Sequence, residues 1–348
     1  MSFTPFNAHL MGGLFGDREA AGFFSIDADL EAIKRFEVAL FRAQARNGFI
    51  PTDAVTTIEE KLAAFEPDKA ALAEAVRVDG VAVPRLVAQM RAHIGEPHSA
   101  MIHKGSTSQD AVDTSLMLRL MPLFDLYAER LDGIVAELDG LAALHGDREV
   151  MARTRFQCAL PISLSHKIAM WSTPLKRLKR ERPTTFPVQL GGPEGALAAI
   201  GETPEQIVKA VAKELGLAAP PVHWQTDRWP IADVATWIVR LATALGKIGF
   251  DVALMAQNEI GEVAIKGGGG SSAMPHKNNP VLAESLVTLA RFVSTQMDGL
   301  NQAFLHENER SGISWSLEWM LVPALMVSGG ASLRNAAKLL RQLEFDTV

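Results

Sequence analysis

Apolar residues separated by three and four positions recur over a long stretch in the last third of this chain. Between Ile231 and Val263, a stretch without proline, they are Val234, Trp237, Ile238, Leu241, Leu245, Ile248, Val252 and Met255. Residues at this spacing share one face of an α-helix. The pattern predicts a helix of about 30 residues, roughly 45 Å long at 1.5 Å per residue. Such a helix needs apolar partners along its whole length.

Four further stretches carry the same periodicity and complete a set of five long helices. They cover residues 108–145, 163–182, 281–303 and 322–343. Strict alternation of apolar and polar residues, the signature of a half-buried strand, is nearly absent. We therefore expect an all-α protein built around an elongated bundle of long helices. One such bundle exposes more apolar surface than it can cover, which predicts a homo-oligomer.

The first part of the chain has shorter helical patterns, at residues 27–47, 52–65, 67–76 and 84–94, with glycine and proline between them. These two residues interrupt helices and mark turns. We predict a small N-terminal helical domain at residues 1–105, followed by the domain of the long-helix bundle at residues 106–348.

Charge and cysteine content exclude several classes of protein. The chain has 34 Lys and Arg against 40 Asp and Glu, a formal net charge of −6, and its basic residues are scattered. Nucleic-acid binding would need a positively charged face, so we expect no such partner. The single Cys158 excludes a disulfide framework and a cysteine-rich metal site. Because the sequence shows neither a signal peptide nor an apolar run of membrane-spanning length, we expect a cytoplasmic protein without a membrane partner.

The most informative segment lies between two of the long helices, where Lys266 is followed by four glycines and then by SSAMPHKNNP. Glycines adopt positive φ freely, so this segment can open and close over a site. A flexible connection between helices explains the glycines equally well, but it does not explain the residues that follow them. A phosphate-binding loop does not fit, because there is no Gly-Lys-Ser/Thr sequence and no preceding strand.

This segment resembles the signature loop of the fumarase/aspartase superfamily, Gly-Ser-Ser-x-x-Pro-x-Lys-x-Asn, at every fixed position. Other segments match the superfamily in the same order along the chain: HKGSTSQDAVDT at 103–114, RTRFQ at 153–157, QLGGPEG at 189–195, WQTDR at 224–228 and QNEIGE at 257–262. The resemblance covers nearly the whole chain. Around His276 and in residues 306–319 the sequence is most similar to the cycloisomerase branch of the superfamily, which lactonises 3-carboxy-cis,cis-muconate, a tricarboxylate diene.

The resemblance implies a fumarase/aspartase-like fold, no cofactor, and a homotetramer whose active sites combine segments of different subunits. Members of the superfamily often carry a further C-terminal helical domain. This chain ends just after the bundle helices, and we expect that domain to be absent. We expect no metal site, since His93, His98 and His103 are spaced five apart and would not share one face of a helix.

The reaction common to the superfamily is addition to, or elimination across, a carbon–carbon bond beside a carboxylate, through a doubly charged aci-carboxylate. Such an intermediate requires cations and directed hydrogen-bond donors. By resemblance, Ser271 exchanges the carbon-bound proton and Lys277 contacts the substrate carboxylate. His276 adds a second donor, and His103 matches an active-site histidine of the family.

Residue 155 departs from the family pattern. Superfamily lyases that expel water or an amine commonly have Thr-His where this chain has Thr154-Arg155, and an arginine stays protonated and cannot relay a proton. Lactonisation needs no relay, because the attacking group is a substrate carboxylate that is already ionised. A fixed cation that orients this carboxylate then serves better than a histidine. We therefore predict a catalytic role for Arg155 alongside Ser271, Lys277 and His103.

The remaining candidates would bind the substrate. Thr107 and Ser108 open a long helix, where backbone N–H groups and the helix dipole favour an anion. By analogy with the family, others line the same cavity or supply cations for three carboxylates: Arg153, Thr154, Gln157, Arg228, Ser272, Met274, His276, Asn279 and Arg310. The predicted partner is thus a small tricarboxylate. An adenylosuccinate-type lyase and a non-catalytic structural homologue stay open as alternatives, although intact Ser271, Lys277 and Asn279 argue against the second.

Overall fold

Helices that are all short, except for one of 21 residues, form the N-terminal part of this computed structural model, which describes residues 10–270, 273–274 and 277–345. They are α1 (Gly12–Phe15), α2 (Arg18–Gly22), α3 (Ile26–Arg46), α4 (Ala54–Ala63), α5 (Lys69–Asp79) and α6 (Val83–Ile94), followed by a 3₁₀ turn at Ser99–Met101. Polar side chains cap three of these helices: those of Asp17, Ser25 and Asp68 each accept a hydrogen bond from a backbone N–H three residues on. Caps of this kind fix where a helix begins.

Five long helices form the bundle: α7 (Ser108–His145), α8 (Leu164–Arg180), α10 (Trp229–Met255), α11 (Val281–Ala303) and α12 (Ile313–Leu340), and the shorter α9 (Pro204–Leu215) packs against α3. The central helix, α10, contacts α8, α11 and α12. It approaches α11 closely at Gly249, where a Cβ would lie 2.5 Å from the carbonyl oxygen of Ala283. Helix α3 also packs against α7 and attaches the N-terminal part to the bundle.

In the described part of the chain, two small antiparallel strand pairs lie between the helices. Strands β1 (Glu149–Thr154) and β2 (Gln157–Ser163) form a hairpin between α7 and α8. Arg155 and Phe156 make its two-residue turn, with φ of 51° and 65°. Strand β3 (Ala264–Ile265) pairs with β4 (Leu343–Glu344) and joins the segment before α11 to the segment after α12.

The predicted long helices are present, with differences at their ends. Helices α7 and α11 have the predicted bounds, and α8 agrees within two residues at each end. Helix α10 ends at Met255 instead of near Val263, since the chain turns over residues 256–261 and the N–H of Glu262 donates to the carbonyl oxygen of Met255 (3.0 Å). Helix α12 begins at Ile313, before the predicted residue 322. The sequence pattern indicated neither α9 nor the hairpin.

A continuous hydrophobic core runs through both parts of the chain, from Phe36 in α3 to Leu339 in α12. The division at residue 105 crosses this core and stays a prediction. Within the described residues, α12 is long and apolar enough to cross a membrane by length and composition. However, 61% of its most apolar window is buried inside the protein, as expected of a helix in a core.

Candidate active site

The predicted site residues lie at opposite ends of the bundle. At one end, Arg228 precedes α10 and contacts Asp113 near the start of α7 and Glu318 near the start of α12. At the other end, β3 and β4 pair beyond the last residues of α10 and α12. Helix α10 has 27 residues between these points, about 40 Å at 1.5 Å per residue. We call the first the Arg228 end and the second the hairpin end.

The candidates divide between these ends. The Arg228 end carries His103, Thr107, Ser108, Arg228 and Arg310. The hairpin end carries Arg153, Thr154, Arg155, Gln157, Met274, Lys277 and Asn279. Ser271, Ser272 and His276 lie outside the described residues. One chain therefore brings the candidates together in two groups and does not bring the two groups together.

His103 is held by a carboxylate from the N-terminal part of the chain. Its Nδ1 lies 2.6 Å from Oε1 of Glu37 in α3. Burial of the imidazole favours its neutral form, but the charge and hydrogen bond of Glu37 outweigh burial and raise the pKa of His103 above its ordinary value. The imidazole is thus biased towards its cationic form at the Arg228 end.

Asp110 joins the start of α7 to the 189–195 segment. Its carboxylate accepts hydrogen bonds from the backbone N–H groups of Thr107 (3.0 Å), Gly191 (2.8 Å) and Gly192 (3.0 Å), and from the side-chain amide of Gln189 (3.1 Å). Complete burial raises the pKa of Asp110 to about 6, although each of these donors acts to lower it. Asp110 therefore fixes the Gly191-Gly192 turn against the helix start that carries Thr107 and Ser108.

Arg228 is surrounded by two buried carboxylates. Its Nε and Nη2 donate to Glu318 (2.8 and 2.7 Å), and its Nη1 and Nη2 donate to Asp113 (2.7 and 3.0 Å). Burial alone would lower the pKa of Arg228, but the charge of Asp113 and the hydrogen bond with Glu318 raise it. Trp315 Nε1 also donates to Asp113 (3.0 Å). These contacts favour a structural role for Arg228, and its contact with substrate stays a prediction.

Arg310 lies beside the 189–195 segment and donates from Nη2 to the carbonyl oxygen of Pro193. The space here is tight, since a Cβ on Gly195 would lie 2.7 Å from Nε2 of His223. Among the described residues, Nε of Arg310, Nδ1 of His223 and Oε1 of Gln225 are buried without a hydrogen-bond partner. Buried polar atoms nearly always have partners. These unpaired atoms make the surroundings of the 189–195 segment a candidate ligand-contact region.

The hairpin presents Arg155 at an exposed tip. Thr154, Arg155, Phe156 and Gln157 are all exposed, Phe156 at 77%. Further down the strand, Arg153 is engaged: its Nη1 donates to both carboxylate oxygens of Glu262, at 2.8 and 2.9 Å. This ion pair ties the hairpin to the segment that leads into the glycine-rich loop.

The described residues of the glycine-rich loop are fixed at its base. Gly269 and Asn279 exchange two backbone hydrogen bonds (2.9 and 2.8 Å), and the side-chain amide of Asn278 donates to the carbonyl oxygen of Ile265 (2.8 Å). Lys277 and Met274 are exposed, with a 3.0 Å hydrogen bond from the N–H of Lys277 to the carbonyl oxygen of Met274. Lys277 therefore presents its side chain to solvent beside the anchored base of the loop.

Sequence reasoning missed Glu37, which shapes the Arg228 end. Gln189, Gln225 and Glu318 lie in segments that match the family, but the sequence assigned no role to them. For Glu37 a signal exists: it is an acidic residue within the apolar face of α3, beside Phe36 and Leu40. Within residues 10–270, 273–274 and 277–345, no group of three or more His, Cys, Asp or Glu side chains is arranged to hold a metal ion.

A family model described as a lyase matches residues 11–294. The chain is 37% identical over 356 residues to a 3-carboxy-cis,cis-muconate cycloisomerase of Pseudomonas aeruginosa, covering 99% of this chain and 77% of that protein. It is 38% identical over 335 residues to a nitrosuccinate lyase of Streptomyces davaonensis, covering 91% and 70%. The crystal structure of 3-carboxy-cis,cis-muconate lactonizing enzyme from Pseudomonas putida matches with a TM-score of 0.89 and 34% identity, over 97% of this chain and 78% of that one.

The chain therefore belongs to this lyase family, within the fumarase/aspartase superfamily. The predicted all-α, fumarase/aspartase-like fold is confirmed. The chain is an enzyme of a family whose members act on small carboxylate substrates.

Proposed function

We propose that this enzyme is a cycloisomerase that converts 3-carboxy-cis,cis-muconate to a carboxylated muconolactone. Its relatives of that name are 33% to 37% identical over nearly the whole chain. A substrate carboxylate oxygen adds to one carbon of a C=C bond, and the electron pair moves into an adjacent carboxylate as an aci-carboxylate. The electron pair then returns from the aci-carboxylate to the other carbon, which takes the hydroxyl proton of Ser271; the serine regains a proton from solvent, and the lactone is complete without a cofactor.

The observation that carries this proposal is Arg155 at the exposed hairpin tip. A guanidinium cannot relay protons near neutral pH. It can hold and orient a carboxylate, and a carboxylate nucleophile needs no base. Arg155 and Lys277 would therefore hold carboxylates of the substrate, while Ser271 handles the only proton that moves.

We further propose that each active site combines the Arg228 end of one subunit with the hairpin end of another, in a cytoplasmic homotetramer. The separation of the two ends, about 40 Å along α10, supports this assembly. At the Arg228 end, His103, Thr107, Ser108 and Arg310 would bind further carboxylates. At the hairpin end, Thr154, Gln157, Met274 and Asn279 would line the cavity, with Ser272 and His276 from the same loop.

The proposal is tested by adding purified enzyme to 3-carboxy-cis,cis-muconate and following the ultraviolet absorbance of the diene, which lactonisation removes. The wild type should consume the diene, and Ser271→Ala should lower kcat by at least about 100-fold. Ser294→Ala is a matched control: its exposed hydroxyl donates to the carbonyl oxygen of Ala290 on α11, so full activity is expected. No diene loss by folded, oligomeric wild type would exclude this function.

A second candidate is elimination from nitrosuccinate, favoured by the 38% identity to a lyase of that name. Nitrite leaves as a stable anion and needs no general acid, so Arg155 suits this reaction for the same reason. Fumarate appears in that reaction, and in cleavage of adenylosuccinate, but not in lactonisation. Measuring fumarate release from nitrosuccinate and adenylosuccinate beside the diene assay therefore separates the three activities.

A further inference from the structure

A buried glutamate in the N-terminal part of the chain has a contact that packing does not explain. The side chain of Glu37 is fully buried in the apolar face of α3. Its Oε1 lies 2.6 Å from Nδ1 of His103, and its Oε2 is buried without a hydrogen-bond partner among the described residues. A buried carboxylate with one unsatisfied oxygen is costly. An apolar residue would pack here at lower cost, so the carboxylate serves the imidazole.

His103 itself is held in an unusual conformation. Its φ is 60°, in the left-handed region that costs energy for a residue with a Cβ. The side chain is 13% exposed. With Nδ1 occupied by Glu37, Nε2 is the nitrogen left for a ligand, and it makes no hydrogen bond within the described residues. His103 lies four residues before Thr107, where the start of α7 favours an anion.

We propose that Glu37 is a positioning residue, which fixes the ring of His103 so that Nε2 is presented to a carboxylate of the substrate at the Arg228 end. Nδ1–H donates to Glu37, and this hydrogen bond sets the tautomer and the ring orientation. The identity of the ligand rests on the proposed function. The effect of Glu37 on His103 does not.

Charged groups from three helices act on the imidazole. Burial opposes the cation, Glu37 of α3 and Asp110 of α7 favour it, and Arg91 of α6 opposes it. The balance raises the pKa of His103, so more of the ring is imidazolium near neutral pH than for a free histidine. In that form Nε2–H donates a charge-assisted hydrogen bond to a carboxylate.

The test measures the titration of His103 in the free enzyme, by NMR of protein labelled with ¹³C at histidine Cε1. The signal is assigned by its loss in His103→Gln. In Glu37→Gln, which keeps an acceptor but removes the charge, the midpoint should fall by at least about 1 pH unit. Glu31→Gln is the control, because Glu31 lies on the same helix, pairs with Lys34 and is 57% exposed, and it should leave the midpoint unchanged.

Activity provides a second readout. If protonated His103 binds substrate, kcat/KM falls as pH rises through the pKa of His103, and Glu37→Gln moves this alkaline limb to lower pH. KM should rise more than kcat falls, because a ground-state contact weakens. Glu37→Asp keeps the charge, so in this variant the His103 midpoint and the alkaline limb of kcat/KM should both lie closer to their wild-type values than in Glu37→Gln.

A His103 midpoint in wild type at or below about 6.5, or one that Glu37→Gln leaves in place, would overturn the proposal. A wild-type midpoint at or below about 6.5 overturns the proposal even where Glu37→Gln does not fold, and Glu37→Asp then serves as the second variant. If Glu37→Gln lowers the His103 midpoint as expected but the wild type does not turn over the diene, the proposed substrate is wrong and the role of Glu37 stands.

Discussion

Replacing Arg228 with methionine would leave two carboxylates buried without their cation. The side chains of Asp113 and Glu318 are each 2% exposed, and the Arg228 guanidinium hydrogen-bonds to both. Removing one partner of a buried ion pair costs about 3 to 5 kcal/mol, because the remaining charge stays away from water. Methionine keeps a long, unbranched side chain, so the loss reflects mainly the charge. We expect Arg228→Met to lower the free energy of unfolding by about 3 to 5 kcal/mol at pH 8.

The loss should shrink as the pH falls. Without Arg228, burial raises the folded-state pKa of both carboxyls above their unfolded values of about 4. The loss of unfolding free energy is complete above the raised pKa. It disappears as the pH falls from that pKa to the unfolded value, because the folded variant takes up protons before the unfolded chain does. Adding Asp113→Asn and Glu318→Gln removes the stranded charges. The Asp113→Asn change keeps an Oδ1 as the acceptor for Trp315, and the triple variant should regain most of the stability.

Urea unfolding followed by tryptophan fluorescence, at a fixed protomer concentration, measures these free energies. Arg240→Met is the matched control, because Arg240 lies in α10, twelve residues after Arg228: Arg240 pairs with Glu181, and the two side chains are 45% and 43% exposed. Its loss should not exceed about 1 kcal/mol. A loss below about 1 kcal/mol for Arg228→Met, or a triple variant no more stable than the single one, would refute the reasoning.

Two other changes have measurable outcomes. Gly105→Ala should lower Tm much more than Gly80→Ala: φ is 74° and 73°, but a Cβ at Gly105 overlaps the carbonyl oxygen of Ala199, whereas a Cβ at Gly80 has open space. Similar Tm losses would contradict this. Arg155→His should retain more kcat/KM at pH 6 than at pH 8 relative to wild type, because an introduced imidazole is charged mainly at the lower pH. If the kcat/KM of Arg155→His relative to wild type is the same at pH 6 and pH 8 in the diene assay, residue 155 does not act as a fixed cation.

Periodicity predicted the long helices because each buries one stripe over many turns. The bounds of α7 and α11 were predictable as well, since Thr107 caps the first and Pro280 precedes the second. The β1–β2 hairpin was not predictable in this way. Most of β2 is exposed, so it has no apolar alternation, and its turn uses Arg155 and Phe156 at positive φ where glycine or asparagine gives the usual signal.

The site residues likewise separate into those that a local sequence pattern reveals and those that depend on contacts between distant segments. Those in short motifs, such as Lys277 and Arg155, were found because a motif is local in sequence. Glu37 was not, because its partner His103 is 66 residues away and only the packing of α3 beside α7 joins them. The role of Arg228 was also hidden, since its two carboxylates come from α7 and α12. The sequence therefore identifies the side chains that can take part in catalysis, but it does not show which charged side chains the fold pairs with one another.

Two inactive variants should regain activity when their subunits mix, if each site combines opposite ends of different subunits. His103→Ala removes a side chain at the Arg228 end, and Lys277→Ala removes one at the hairpin end. In oligomers assembled from equal amounts of both, a site takes its Arg228 end from a Lys277→Ala subunit, which is intact there, with a chance of one half. It takes its hairpin end from a His103→Ala subunit, which is intact there, with the same chance. About one quarter of wild-type activity should therefore return.

His103→Ala mixed with Arg310→Ala is the control, because both changes fall at the Arg228 end and no site in that mixture is complete. The decisive result is the first mixture, with mixed oligomers verified by mass spectrometry. If it gains no activity, each site would have to be built within one subunit. Within one chain His103 lies at the Arg228 end and Lys277 at the hairpin end, and α10 alone spans about 40 Å between these ends. That result would therefore exclude the proposed site itself and not only its sharing between subunits.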